Sequence, residues 1–235
     1  MTKQLKSKKN QVLLTDIGLG NHHHAQYVVK NFATVEAFER EVSIYKELQG
    51  SALLIPHIVA KEGDAQLVLT YIEGQTALEK LEALDTMDPK SGLWQRESAF
   101  FIENLCGWIA QFYKIMYDRK KVQWILGDIH LRNFIFEKDG GTVYGIDFEE
   151  CTMGQWESDM ARLSVFILTY DPAYTENKVK LCRLFMKKMG ALLDPVSPLD
   201  QKFLKEELYR ELEDLGKRRG VEVEKNVLKE MVEDV

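Results

Sequence analysis

Long apolar runs are missing from this sequence. None approaches the roughly 20 residues of a membrane-spanning helix, and the opening residues carry no signal-peptide core. Cysteine is scarce. Cys106, Cys151 and Cys182 are odd in number and far apart, which excludes a disulfide framework and a zinc site and predicts reduced thiols in or near the core of a cytoplasmic protein. An excess of positive charge is missing too. The net charge is −6, so non-specific binding to nucleic acid is not expected. A local basic cluster (Lys3, Lys6, Lys8 and Lys9) reads as a solvated N-terminus. There is no internal repeat and no low-complexity segment. What is present is a chain of 235 residues, 45% hydrophobic and 29% charged. That is enough to bury a substantial core as one domain, or as one domain with two lobes.

The stretch from Ile125 to Glu150, ILGDIHLRNFIFEKDGGTVYGIDFEE, organises the rest. Asp128, Asn133 and Asp147 each stand beside an apolar run that reads as a short strand: 124–126, 134–136 and 143–146. Asp139-Gly140-Gly141 supplies turn chemistry between two of them. A hairpin there brings Asn133, at the start of one strand, beside Asp147, at the end of the other. Hard cations such as Mg²⁺ take a few oxygen ligands from protein and leave the rest to phosphate and water. The arrangement suits a metal-nucleotide site.

The order D-x-x-x-x-N, apolar hairpin, Ile-Asp-Phe resembles the catalytic and metal-binding segments of the protein-kinase-like superfamily. Gly127-Asp128-Ile129-His130 with Asn133 is most similar to the aminoglycoside phosphotransferase and choline kinase branch, a group of compact kinases. The fold implied is α+β and two-lobed. Residues 1–74 would form a small antiparallel-sheet N-lobe with one helix and the link between lobes. Residues 75–235 would form a mainly helical C-lobe carrying the catalytic hairpin, 125–150.

Further roles follow from the resemblance. Gln11–Ile17 and Ala25–Phe32 read as strands, and Gly18, Gly20 and Asn21 between them form either a phosphate-covering loop or a plain turn. With ten residues ahead of Gln11, the N-lobe is expected to lack a strand that larger relatives possess. Lys30 would hold the nucleotide phosphates. Its partner would be Glu41, with Glu39 the alternative, on a helix patterned by Val35, Phe38, Val42 and Tyr45 and stopped by Gly50. Tyr71, Ile72 and Glu73 end a hairpin strand and would read adenine through their main chain. Consecutive His22-His23-His24 cannot converge on a metal and read as loop polarity. Leu78, Leu81 and Leu84 mark a short helix, and Ser98 opens a long one whose stripe includes Phe101, Leu105, Trp108 and Phe112. Asp159, with Ala161, would brace the catalytic loop. Helices around 163–168 and 179–189 follow. Leu204, Leu208, Leu212 and Leu215 then stripe a charged helix over the core, with a homodimer or partner helix as the alternative.

The activity implied is transfer of the γ-phosphoryl of ATP to an acceptor hydroxyl. Asp128 would be the base, Asn133 and Asp147 would ligate Mg²⁺, and His130 would brace the loop or orient the acceptor. Arg132 would meet an anion or pair with a carboxylate, and Glu149, Glu150 and Asp171 are carboxylates available to line an acceptor cleft. Only eleven residues separate Asp147 from Asp159, and no Ala-Pro-Glu follows. This is too little chain for a peptide-docking segment and favours a small-molecule acceptor over a protein. The competing readings are an atypical serine/threonine protein kinase, resembling the RIO or lipopolysaccharide-kinase-like groups, and a nucleotide-binding pseudokinase scaffold.

Overall fold

A computed structural model describes residues 2–5, 9–18, 24–138 and 141–219. Five antiparallel strands form the N-terminal layer in the order β1-β2-β3-β5-β4: β1 (Thr2–Leu5), β2 (Gln11–Gly18), β3 (His24–Asn31), β4 (Ile58–Glu62) and β5 (Gln66–Thr70). The strand expected to be missing is therefore present. β1 pairs Leu5 with Val12, and β2 in turn pairs Val12 with Lys30. Three of its four residues are polar and exposed, so an edge strand of this kind leaves no alternation in the sequence to read.

Helix α1 (Val35–Leu48) follows β3. Thr34 caps it by accepting the Ala37 amide at 3.2 Å. Phe38, Glu41, Val42 and Tyr45 share its buried face, at the spacing of one helical stripe. Beyond β5 the chain crosses as β6 (Gly74–Thr76), which joins a second sheet in the order β6-β8-β9, with β8 (Phe134–Glu137) and β9 (Val143–Gly145). Thr76 then opens α2 (Ala77–Asp85) with a reciprocal capping box to Glu79.

The remainder is mainly helical: α3 (Gly92–Lys120), α4 (Trp156–Thr169), α5 (Glu176–Leu193) and α6 (Gln201–Arg219). α3 begins at Gly92, capped by Ser91, and not at Ser98. Ser98 lies inside the helix, buried, its hydroxyl donating to the Gln95 carbonyl. α3 is the axis of the core. Trp108 and Phe112 stack on each other and both stack on Phe148, while Tyr113 stacks on Trp156 at 5.4 Å. A short ladder of β7 (Trp124–Ile125) with β10 (Thr152–Met153) closes the segment between them. All three cysteines are buried and free. No helix among the described residues is long and apolar enough to cross a membrane.

The leucine stripe of α6 faces inward. Leu204, Leu208 and Leu212 are buried, and Arg162 on α4 ties the helix down through Glu211 at 2.8 Å. The stripe is thus spent on the core, which argues against a dimer seam along it. Leu208→Ala removes three heavy atoms' worth of packing from a closed site and is expected to cost about 2–5 kcal/mol. Urea denaturation checks this. A loss that vanishes at high protein concentration would instead place the stripe between chains.

Candidate active site

β3 carries Lys30 into the layer beneath the sheet, where α1 and the segment after β9 meet it. Its ammonium lies 2.6 Å from Glu41 Oε2, 2.7 Å from Asp147 Oδ1 and 3.2 Å from Glu149 Oε2. Glu39 is exposed and takes no part. Burial alone would weaken the charge on Lys30, but Glu41 and Asp147 hold its pKa well above the ordinary lysine range. Burial pushes the Glu41 carboxyl up to about 7 against the pull of Lys30, and Asp147 and Glu149 add to the rise. Glu41 Oε1 is buried without a hydrogen-bond partner among the described residues. Oxygens of Glu41, Asp147 and Glu149 lie within 4.8 Å of one another.

Residues of the loop ahead of β8 face this cluster. A small cleft is lined by Asp128, Asn133 and Asp147, with Trp108 and Phe134 among its apolar walls. Asn133 ends a single 3₁₀ turn (Leu131–Asn133); its amide nitrogen Nδ2 donates to the Asp128 carbonyl at 3.1 Å. Its carbonyl accepts the Ile146 amide at 2.9 Å, which sets Asn133 beside Asp147. Asp147 has φ 67°. A left-handed backbone at a non-glycine residue is uncommon, Asp being among the residues that tolerate it best, and it often marks a functional position. Gly127 has φ 77°, and a Cβ there would stand 2.3 Å from the Glu150 carbonyl oxygen, so only glycine fits ahead of Asp128.

Asp159 underpins this loop. Fully buried on α4, it accepts the Leu126 amide at 2.6 Å, the Gly127 amide at 3.1 Å and the Tyr113 hydroxyl at 2.9 Å. Burial raises its pKa to about 6 even though all three donors favour the ionised form. His130 packs on Phe166, and its Nδ1 is buried without a partner among the described residues. Burial lowers its pKa, against the attraction of Asp128 and Asp147. Arg132 lies over the rings of Phe166 and Tyr170, each at 5.7 Å.

Other sequence candidates fall elsewhere. Gly18 pairs with His24 at the end of the β2–β3 ladder opposite the Val12–Lys30 pair. Six residues of strand put Gly18 itself about 20 Å from the Lys30 end. Gly20, Asn21, His22 and His23 lie outside the described residues. Tyr71, Ile72 and Glu73 do form the link between the two sheets. The Tyr71 amide is already given to the Gln26 carbonyl, and the Glu73 carbonyl already accepts the Lys138 amide. Glu149 and Glu150, read as acceptor-lining carboxylates, are instead turned to Lys30 and Lys9.

The sequence reading gave Lys9 and Asn10 no part in the site and gave Glu149 a different one. Lys9 Nζ lies 2.8 Å from Glu150 Oε1 and 3.6 Å from Asp128 Oδ2. Asn10 donates to Glu149 at 2.5 Å. Glu149 itself joins the buried cluster. The basic cluster near the N-terminus was the available signal; without β1, nothing marked it as a turn above Lys30.

A strand lysine held by a helix glutamate, above a hairpin bearing Asp, Asn and Asp, within a small antiparallel sheet over a helical body, defines the protein-kinase-like fold. The solved structure of amicoumacin kinase hAmiN in complex with AMP-PNP, Ca²⁺ and Ami shares it, with a TM-score of 0.52 over 100% of this chain and 88% of that one. Identity is 14%, so the likeness is one of fold. The chain belongs to the family described as an uncharacterized protein conserved in bacteria (DUF2252), whose model matches residues 107–229, from α3 through the catalytic hairpin and beyond. No curated protein matches it.

Because burial lifts the folded-state pKa of Asp159 above its ordinary 3.8, its contribution to stability is complete below about pH 4 and is lost as pH rises through about 6. Asp159→Asn removes that titration and leaves the Gly127 amide facing an NH₂ group. The variant is expected to be less stable by about 1–3 kcal/mol at acid pH. The deficit should shrink between pH 4 and pH 7 in denaturant titrations; a deficit that grows with pH would mean that Asp159 is held ionised.

Proposed function

We propose that the chain is a phosphotransferase moving the γ-phosphoryl of ATP to an acceptor hydroxyl, in the manner of the aminoglycoside phosphotransferase and choline kinase branch. The observation that carries this is the convergence of Lys30, Glu41 and Asp147 beneath the sheet, with Asp128 and Asn133 across the same cleft. That amicoumacin kinase was solved with AMP-PNP and Ca²⁺ supports a nucleotide and a divalent ion here. The chain then divides at Gly74 into an N-lobe, 1–74, and a C-lobe, 75–235. Adenine would lie against the link, where the Tyr71 carbonyl and the Ile72 and Glu73 amides are the groups left to read its edge.

The residues fit a divalent ion. Asn133 commits Nδ2 to the Asp128 carbonyl, which leaves Oδ1 for a cation. Asp147 gives one carboxylate oxygen to Lys30 and keeps the other, on a side chain 36% exposed toward the cleft. Asn133 and Asp147 would hold Mg²⁺, which when bound neutralises phosphate charge and draws the phosphate oxygens into register. Lys30 would bind the nucleotide phosphates, with Glu41 fixing its ammonium. Asp128 would accept the proton of the acceptor hydroxyl as the new O–P bond forms and the bond to ADP breaks. Little covalent chemistry falls to the protein, so positioning and charge do the catalysis. The short path from Asp147 to Asp159, tied down by β10 and by Asp159 itself, favours a small-molecule acceptor.

Labelled ATP with Mg²⁺ tests the reading. Asp128→Asn is expected to lower transfer about 10²–10⁴-fold while keeping ATP binding, and Asp147→Asn to remove Mg²⁺-dependent transfer. Wild-type binding without transfer to any acceptor would make the chain a scaffold. No binding of ATP at all would sink the nucleotide reading.

A further inference from the structure

Leu5 pairs with Val12, and Val12 with Lys30, so Lys9 and Asn10, just ahead of β2, stand at the Lys30 end of the sheet. The sequence between Leu5 and Val12 is Lys6-Ser7-Lys8-Lys9-Asn10-Gln11, rich in lysine and without glycine. Its last residues are anchored. The Asn10 side chain accepts the Ala33 amide at 3.0 Å and donates to Glu149 at 2.5 Å, clamping the turn to both the exit of β3 and the segment after Asp147.

From this anchor Lys9 reaches the cleft, with its ammonium between Glu150 and Asp128. The contact is an exposed one: Lys9, Asp128 and Glu150 side chains are 52%, 47% and 43% accessible. A pair so open to water is held weakly. Among the described residues the site is also short of ammonium groups: five carboxylates (Glu41, Asp128, Asp147, Glu149 and Glu150) face Lys9 and Lys30, and Lys30 is already enclosed by three of them. A polyphosphate entering the cleft meets net repulsion unless cations come with it or move to it.

We infer that Lys9 is a second phosphate-binding residue, resting on Glu150 and Asp128 in the nucleotide-free chain and exchanging them for the β- and γ-phosphates of a nucleoside triphosphate. This rests on the phosphotransferase reading above and deepens it. Because Asn10 pins the turn, the exchange needs only rotation of the lysine side chain. It also frees Asp128 when the triphosphate is in place, so that the base is uncovered for an acceptor only beside a loaded donor. A lysine here takes over charge neutralisation that backbone N–H groups of a glycine-rich turn would supply elsewhere.

The test compares AMP-PNP and AMP, each with Mg²⁺, by calorimetry on wild type, Lys9→Ala and Lys9→Arg. AMP-PNP affinity is expected to fall about tenfold in Lys9→Ala, one charge-assisted contact's worth. AMP affinity should stay within about twofold, and Lys9→Arg should keep most of the AMP-PNP affinity. Equal losses for AMP and AMP-PNP, or unchanged AMP-PNP binding, would overturn the inference while leaving the phosphotransferase reading intact. Tighter AMP-PNP binding by Lys9→Ala would overturn it too, making Lys9 a block and not a ligand. Failure of wild type to bind AMP-PNP would overturn both.

Discussion

One ammonium group among three carboxylates is the constraint on which the rest of this structure depends. Lys30 and Glu41 are almost wholly buried, their side chains 7% and 1% exposed. Taking such charges from water costs several kcal/mol per ion before any attraction offsets it. A buried pair of this kind is therefore weak evidence of a stabilising device and better evidence of a positioning one. The cluster fixes β3, α1 and the end of the catalytic hairpin to a common point. It is sealed on the sheet and helix sides and open on the Asp147 side, which is where the cleft lies.

The far side of the hairpin is held by different means. Phe148, next to Asp147, is clamped between the rings of Tyr45, Trp108 and Phe112, so the chain can turn through a left-handed residue without losing register. The Trp108 indole and the Gly145 amide both donate to the Leu54 carbonyl, tying α3 and β9 to the segment below the sheet. Gly145 leaves no room for a Cβ against Trp108. Asp159 gathers the amides just ahead of Asp128 and the hydroxyl of Tyr113 on α3. Oxygen-bearing side chains are thus anchored by packed strands and helices, and rigid supports of this sort hold a few groups in a fixed geometry without prior rearrangement.

Much of this was legible in the sequence because the hairpin writes its own pattern. Short apolar runs bracket Asp128, Asn133 and Asp147, and a glycine-rich turn separates two of the runs. Glu41 was legible too: Phe38, Glu41, Val42 and Tyr45 are one stripe, whereas Glu39 falls on the opposite face. What escaped were features fixed by pairing between distant residues. β1 has too few apolar residues to announce itself, and without it nothing sets Lys9 and Asn10 beside Lys30. Lysine content near the N-terminus was therefore read as solvation. Ser98 was read as the start of α3 because the apolar stripe strengthens after it, whereas the cap is Ser91, whose hydroxyl accepts the Trp94 amide.

The same topology bears on control. The chain leaving Asp147 is short and committed at every step: Phe148 to the aromatic stack, Glu149 to Lys30 and Asn10, Thr152 and Met153 to β7, and Asp159 to the loop ahead of the base. A segment bound at so many points cannot swing to uncover or cover a site without unravelling its own core contacts. Switching, if the fold is to have any, must come from the other wall of the cleft. There the β1–β2 connection meets the carboxylates through exposed contacts alone at Lys9, while Asn10 keeps it in range. A cleft with one rigid acidic wall and one tethered basic edge responds to the charge of what enters it, because an anion draws the Lys9 ammonium away from Asp128 and Glu150.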